Sequence, residues 1–448
     1  LKVENMKKEL TFQTRREFLR HAVLGGALTW TVPAFLAHTF AALAAQGTGR
    51  GVQAATGRDG TILVVLQMAG GNDGLNTVVP YANDEYHRAR PRLGLAGDKV
   101  LKLTDELGLN PALVGFKALY DGGQLAIVQG VGYPNPNRSH FRSTEIWQTA
   151  SEANRSERYG WIGRYFDAAC GGGDADVGVS VGRQMPQAFR AKRPKGISLD
   201  NPQTYRFMTS GRPRPGQKDA LEESFRKLNQ VDEAAAEHPG GTLAAIGGAG
   251  PVDGSALDFV ERTALEAQVS SDRIRAIAGR GTNQAAYPAS NLGNSLRLVA
   301  RLIGGGMPTR VYYVSQGGYD THTNQLAAQE RLLKDLSDSV QAFVKDLKAQ
   351  GQLARVLLMT FSEFGRRVAE NASGGTDHGA AAPLFVVGER VKAGLVGRHP
   401  SLAPDQLFRG DLKHTLDFRS VYATLLEDWL ATPSLPVLGK AFPKIGLV

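Results

Sequence analysis

Thr61-Ile-Leu-Val-Val-Leu-Gln-Met68, running straight into Ala69-Gly70-Gly71-Asn72-Asp73-Gly74, decides the fold. An unbroken apolar run of strand length, with no polar alternation, is the pattern of a strand buried on both faces of a parallel sheet. It stops in residues that tolerate positive φ, so a loop follows. Similar runs recur at 124–131, 310–315, 354–361 and, shorter, 384–387. Helical patterns lie between and after them, at 111–120, 141–150, 158–169, 256–278, 291–303, 325–349 and 418–430. Strands alternating with helices predict an α/β domain, a three-layer α/β/α sandwich around a mostly parallel central sheet. Residues 171–255 break the pattern. Glycine and proline are frequent there, with one helical piece at 217–237, and the stretch is expected to be an insertion or lid.

The N-terminus reads as a targeting segment. Lys2, Lys7 and Lys8 precede Thr14-Arg15-Arg16-Glu17-Phe18-Leu19-Arg20, then a moderately apolar stretch to Ala45 containing the small-x-small pattern Ala42-Leu43-Ala44. Basic, apolar and cleavable parts in that order make a signal peptide, and the paired arginines mark the twin-arginine type. Residues 1–44 are therefore expected to be a signal peptide, 45–60 a short leader and 61–448 the folded domain. The export partner would be the twin-arginine translocase, and the destination periplasmic or extracellular. Pro33 and His38 interrupt the apolar run, so no stable membrane span is expected after cleavage.

The formal charge of +9 is partly carried by that N-terminal segment. What remains suits an anionic small-molecule or polymer substrate. It lacks the dense basic stripe of a nucleic-acid binder. Cys170 is the only cysteine, which rules out an intramolecular disulfide and a thiolate metal site and reads as a small buried residue.

Ligands of open α/β sheets sit beyond the carboxyl ends of the strands. Behind the first run lie Asp73 and Asn76, and behind the second Ser139 and Arg142. Behind the third lie Asp320 and His322, and behind the fourth Glu363, Arg366, Asp377 and His378. Carboxylate and imidazole suit divalent metals, zinc first, with manganese or calcium next. Several of these residues also have structural explanations. Ser139 or Asp320 could cap a following helix, and Glu363 could pair with Arg366 or Arg367. The glycine-flanked Asp377-His378 and the Asp320-x-His322 pair have no evident packing role. His399 and, after it, His414 are further candidates. No Gly-x-Ser-x-Gly elbow accompanies Ser139, and no Gly-x-Gly-x-x-Gly follows the first run.

Gly70-Gly-Asn-Asp-Gly-Leu-Asn76, Ser139-His-Phe141 with Ile146-Trp147, Gly160-Trp-Ile-Gly-Arg-Tyr165, Gly318-Tyr-Asp-Thr-His322, Ser362-Glu-Phe-Gly-Arg366 and Gly375-Thr-Asp-His-Gly379 occur here in that order. Together they resemble the bacterial domain-of-unknown-function family 1501, which is grouped with the alkaline phosphatase and sulfatase superfamily. The resemblance implies an alkaline phosphatase-like sandwich over essentially the whole mature chain. It implies Asp73, Asp320, His322, Asp377, His378 and His399 as metal ligands and Ser139 as nucleophile. Asn76, Arg142 or Arg366 would hold the non-bridging oxygens of a phosphate or sulfate ester. The Asp-x-His spacing is shorter than the superfamily's. A catalytically silent exported metal-binding or scaffold protein is the competing expectation.

Overall fold

The computed structural model describes residues 60–170, 175–182, 184–192, 196–200 and 274–448. The expected signal peptide, nearly all of the leader and the helical piece at 217–237 lie outside them, as does most of 256–278.

Among the described residues, nine strands form the central sheet. Five lie close to the apolar runs: β1 (Ile62–Ala69), β5 (Leu125–Gly132), β8 (Val311–Gly317), β9 (Val356–Phe361) and β10 (Ala382–Val387). β1 sits at the centre, hydrogen-bonded in parallel to β8 on one side and β9 on the other. Outward from β8 come β6 (Gly178–Val181) and β7 (Ile197–Leu199), both parallel additions. These two fall within 171–255, so a described part of the stretch expected as insertion or lid belongs to the sheet itself. Beyond β9, β10 runs antiparallel and pairs with β5. β11 (Gly394–Val396) and β12 (Leu416–Asp417) add to β5 in parallel. A separate small antiparallel sheet holds β2 (Val78–Val79), β3 (Leu101–Lys102) and β4 (Gly108–Leu109).

The reversed β10 has a consequence for the site. β1, β5, β8 and β9 all point the same way, so their carboxyl ends share one edge. The connection from β9 to β10 leaves from that edge and returns to it, keeping residues 362–381 there. A parallel β10 would have required a crossover to the opposite edge.

Side-chain alternation along the strands builds the layers. In β1, Ile62, Val64, Leu66 and Met68 enter one core, and Leu63 and Val65 enter the other. The first core is covered by α2 (Val114–Asp121), α5 (Asn291–Gly304) and α6 (Gln325–Ala349), following the short α1 (Asp84–Ala89) in the numbering. The second is covered by α3 (His140–Thr149), α4 (Trp161–Ala169), α7 (Phe418–Thr424) and α8 (Ser434–Leu438). The result is a three-layer α/β/α sandwich. Trp147 stacks against Phe361 and Phe418, and Trp161 against Tyr422, in the second core. Cys170 is buried there too.

Local signals set the helix ends. Ser290 accepts from the Gly293 amide to open α5, and Asp417 accepts from the Arg419 amide to open α7. The helix expected over 418–430 turns π-helical at Leu425–Trp429. Among the described residues no helix is long and apolar enough to cross a membrane.

Leu66 is fully buried at the centre of the sheet. Leu66→Ala should lower unfolding free energy by about 2–5 kcal/mol through lost burial and a residual cavity. Leu326→Ala, at a 44% exposed position, should change it by no more than about 0.5 kcal/mol. Urea denaturation of both variants checks the contrast.

Candidate metal centre

The loops at the shared edge bring three histidines and an aspartate together. Asp320 and His322 follow β8, His378 lies in the β9–β10 connection, and His140 is the first residue of α3. Asp320 Oδ1 lies 3.0 Å from His322 Nε2 and 3.2 Å from His378 Nε2. The two Nε2 atoms are 3.0 Å apart. Ligand atoms about 2.0–2.1 Å from one tetrahedral ion are separated by roughly 3.3 Å, so this triangle has the dimensions of one face of such a site. His140, Asp320 and His378 also offer ligand atoms that all lie within 4.8 Å of one another. His140 Nε2 is buried without a hydrogen-bond partner, with Asp320 Oδ2 3.5 Å away.

Each imidazole is oriented from behind. His140 Nδ1 meets Glu363 Oε1 at 2.9 Å, His322 Nδ1 meets Asp377 Oδ1 at 3.1 Å, and His378 Nδ1 meets the Arg138 carbonyl at 2.8 Å. All three partners are acceptors, which assigns the proton to Nδ1 in each neutral ring. The Nε2 lone pairs of His322 and His378 then face each other and the Asp320 carboxylate, which His140 Nε2 also approaches. Lone pairs held this close repel unless a proton or a cation lies between them. The cluster is therefore able to coordinate a divalent metal, with outer partners of the kind that fix metal-bound histidines.

Asp320 is kept ionised. Burial raises its pKa, but the hydrogen bond and charge of Arg366 outweigh that and hold it down at about 2. Asp377 is lowered first by the Asn371 hydrogen bond, against partial burial, and then by His322. Arg366 is itself buried. Its Nε donates to Gly71 O at 2.6 Å, Nη1 to Thr376 O at 2.9 Å, and Nη2 to Tyr319 O and Asp320 Oδ1 at 2.8 and 2.7 Å.

Two glycines make the close approach of these loops feasible. Gly70 and Gly71 have φ of +122° and +77°. A Cβ on Gly70 would lie 2.5 Å from Asp320 N, and one on Gly71 2.2 Å from the Phe364 ring. Only glycine fits both demands.

Asp320, His322 and His378 lie together at this edge, whereas Asp377, expected as a ligand, stands behind His322. Other expected residues sit elsewhere. Asp73 is buried in a two-pronged ion pair, Oδ1 accepting from Arg90 Nη2 at 2.9 Å and Oδ2 from Nη1 at 2.5 Å, with Gln325 also donating to it. Asn76 is buried beside it, donating to Leu93 O and accepting from Tyr86 and Arg90. Arg142 donates to the carbonyls of Glu152, Ala153 and Arg155 and pairs with Glu145, which leaves its fork spent on a loop. Arg366 is likewise committed, so neither arginine presents a fork to a ligand. His399 is turned to its neighbour's carbonyl, Pro400 O, and burial depresses its pKa. It lies near Gln129 and Leu412 rather than in the cluster. His414 packs over Gly132, its pKa also lowered by burial. Ser139 occupies the N-cap position of α3 without a side-chain capping bond and is exposed. Asp320 caps no helix, because Asn324 precedes α6.

His140 is the member that sequence reasoning missed, and Glu363, noted behind the fourth run, stands behind it. Glu363 pairs with His140 and the Gly70 amide rather than with Arg366 or Arg367. His140 stands beside Ser139 in a motif already singled out, and its signal was overshadowed by the serine.

Removing Arg90 would leave the Asp73 carboxylate buried and unpaired. Arg90→Met should destabilise the chain by about 3–5 kcal/mol. Thermal or urea unfolding reads this, and a change under about 1 kcal/mol would contradict the locking role.

Residues 61–429 match the family described as "Protein of unknown function (DUF1501)", and the chain belongs to that family. No curated protein matches the chain. Solved structures similar to it include a protein in the alkaline phosphatase superfamily from Vibrio parahaemolyticus, at 8% identity and a TM-score of 0.35, covering 91% of this chain and 78% of that one. A phosphonate monoester hydrolase from Silicibacter pomeroyi is similar at 11% identity and 0.32, covering 86% and 78%. A sulfatase from Pseudoalteromonas sp. is similar at 9% and 0.32, covering 85% and 68%.

Proposed function

For this member of the DUF1501 family we propose an exported, metal-dependent hydrolase acting on phosphate or sulfate esters. The grouping of imidazole Nε2 atoms around the Asp320 carboxylate, His322 and His378 at Oδ1 and His140 toward Oδ2, with each ring oriented through Nδ1, carries this reading. Nitrogen-rich donors with one carboxylate favour zinc, then manganese, while calcium prefers oxygen alone. His140, Asp320, His322 and His378 would hold the ion. When bound it would supply Lewis acidity toward an ester oxygen.

The chain's own residues supply the rest. Arg366 keeps Asp320 in place and ionised. Glu363, Asp377 and the Arg138 carbonyl keep the rings aimed. Ser139, exposed and adjacent in sequence to His140, offers the attacking hydroxyl. Its oxygen would form the bond to phosphorus or sulfur and give up its proton to solvent, while the ester oxygen leaves as the alcohol after taking a proton. Water then releases the acid and restores Ser139.

One observation favours the silent metal-binding alternative. Asn76, Arg142 and Arg366, the residues expected to hold the non-bridging oxygens, are all committed to internal partners. Two experiments separate the readings. Purified protein should contain a divalent metal by mass spectrometry, and His140→Ala with His378→Ala should lose it. Turnover of phosphate or sulfate esters by wild type, reduced at least about 100-fold in Ser139→Ala, would establish the hydrolase with this nucleophile. Full metal occupancy with no turnover would leave the silent reading in place, and absence of metal uptake would remove both.

Export rests on the paired arginines. Arg15→Lys with Arg16→Lys should keep the full-length chain in the cytoplasm of a bacterial host, whereas wild type reaches the periplasm. Equal periplasmic recovery of both forms, read by fractionation and immunoblot, would refute the twin-arginine route.

A further inference from the structure

A cavity of about 300 Å³ adjoins the metal cluster, walled by Arg367–Asn371, Asp377, α1 and the segment 402–410. None of His140, Asp320, His322 or His378 lines it. It touches the cluster only through Asp377, whose Oδ1 faces His322 from behind. A group seated there would therefore be a neighbouring part of the same ligand and not the part at the cluster.

The lining decides its chemistry. Val368, Leu402 and Leu407 give an apolar floor. Arg367 sends Nη2 to Arg409 O and sets Nε 3.7 Å from Asp411, and among the described residues its Nη1 has no acceptor. Asp377 spends Oδ1 on His322 and Asn371, and its Oδ2 has no described donor. Glu370 is saturated: Oε1 accepts from Arg92 Nε, and Oε2 from the Arg92 and Leu93 amides. Glu85 pairs with Arg88. One guanidinium nitrogen, Arg367 Nη1, and one acceptor oxygen, Asp377 Oδ2, remain, opposite in charge. A second anion would meet Asp377, and a cation would meet Arg367. An apolar partner would leave both polar groups unpaired, which costs free energy. Hydroxyl groups both donate and accept, and ring or chain carbons can rest on the floor.

We propose that this cavity is a subsite for a neutral hydroxyl-bearing moiety, a polyol or a single hydroxylated ring, forming the organic portion of the ligand handled at the cluster. Its volume lies at the lower end of small-ligand pockets, enough for one such unit. The link to a substrate rests on the hydrolase reading, whereas the binding property of the cavity does not.

Saturation-transfer NMR on the full chain, supplied with zinc and assayed for metal content, tests it with myo-inositol, glycerol, benzyl alcohol and inorganic phosphate as probes. Inositol should bind saturably and compete with glycerol. Ala369→Trp, at an exposed rim position, should abolish binding by filling the cavity. Arg367→Gln should weaken it at least about tenfold. Metal content should be equal in all three proteins. Absence of saturable polyol binding, or binding unchanged in Ala369→Trp, would overturn the proposal. So would tighter binding of benzyl alcohol or phosphate than of inositol, lost in the same variant. If no metal is found but inositol binds as described, the hydrolase reading fails and the subsite stands.

Discussion

A single buried guanidinium holds the functional edge together. Arg366 reaches Gly70 and Gly71 behind β1, Tyr319 and Asp320 behind β8, and Thr376 in the β9–β10 connection. Its donors are met by carbonyls and a carboxylate from three separate loops. Such a fork is rigid and always charged, so the loops must adopt one spacing to satisfy it. That spacing places the oxygen of Asp320 where two imidazoles meet. Left unmet, the buried charge would cost several kcal/mol.

A second buried arginine does related work one layer deeper. Arg90 clamps Asp73 and also donates to the carbonyls of Arg367 and Val368. It ties the loop after β1 to the strand connection that carries Asp377 and His378. Asp73 accordingly serves the frame and not the cluster. The two arginines show how one residue type, at sites of near-complete burial, converts charge into geometry. The exposed ends of the same loops are then free to carry ligands at fixed separations, as pre-organised binding requires.

The division of labour within the cluster is sharp. Asp320, His322 and His378 are partly exposed, whereas His140 Nε2 is buried. The atoms that orient them, Glu363 and the carbonyl of Arg138, lie behind. Glu363 Oε1 accepts from both His140 and the Gly70 amide, so helix α3 and the loop after β1 are registered against each other through one carboxylate oxygen. Its other oxygen is buried and without a partner in the described structure. That cost is consistent with a residue kept for its effect on His140 rather than for stability.

Much of this was legible in the residues alone. Apolar runs longer than a turn and shorter than a helix can bury both faces only inside a covered sheet, so 61–68, 310–315 and 354–361 announced β1, β8 and β9 within a residue or two. Asp320-x-His322 and Asp377-His378 stood out because glycine-flanked polar pairs behind buried strands have no packing to do. What periodicity does not encode is direction and partnership. The reversal of β10 depends on the pairing of strands distant in sequence. The diversion of Asp73, Asn76 and Arg142 depends on which buried donors and acceptors their neighbours bring. His140 and Glu363 become a pair only when loops 223 residues apart are folded onto one edge. Local chemistry determined which side chains were available, and tertiary packing decided which face a ligand, because a buried polar group must first satisfy the partners around it.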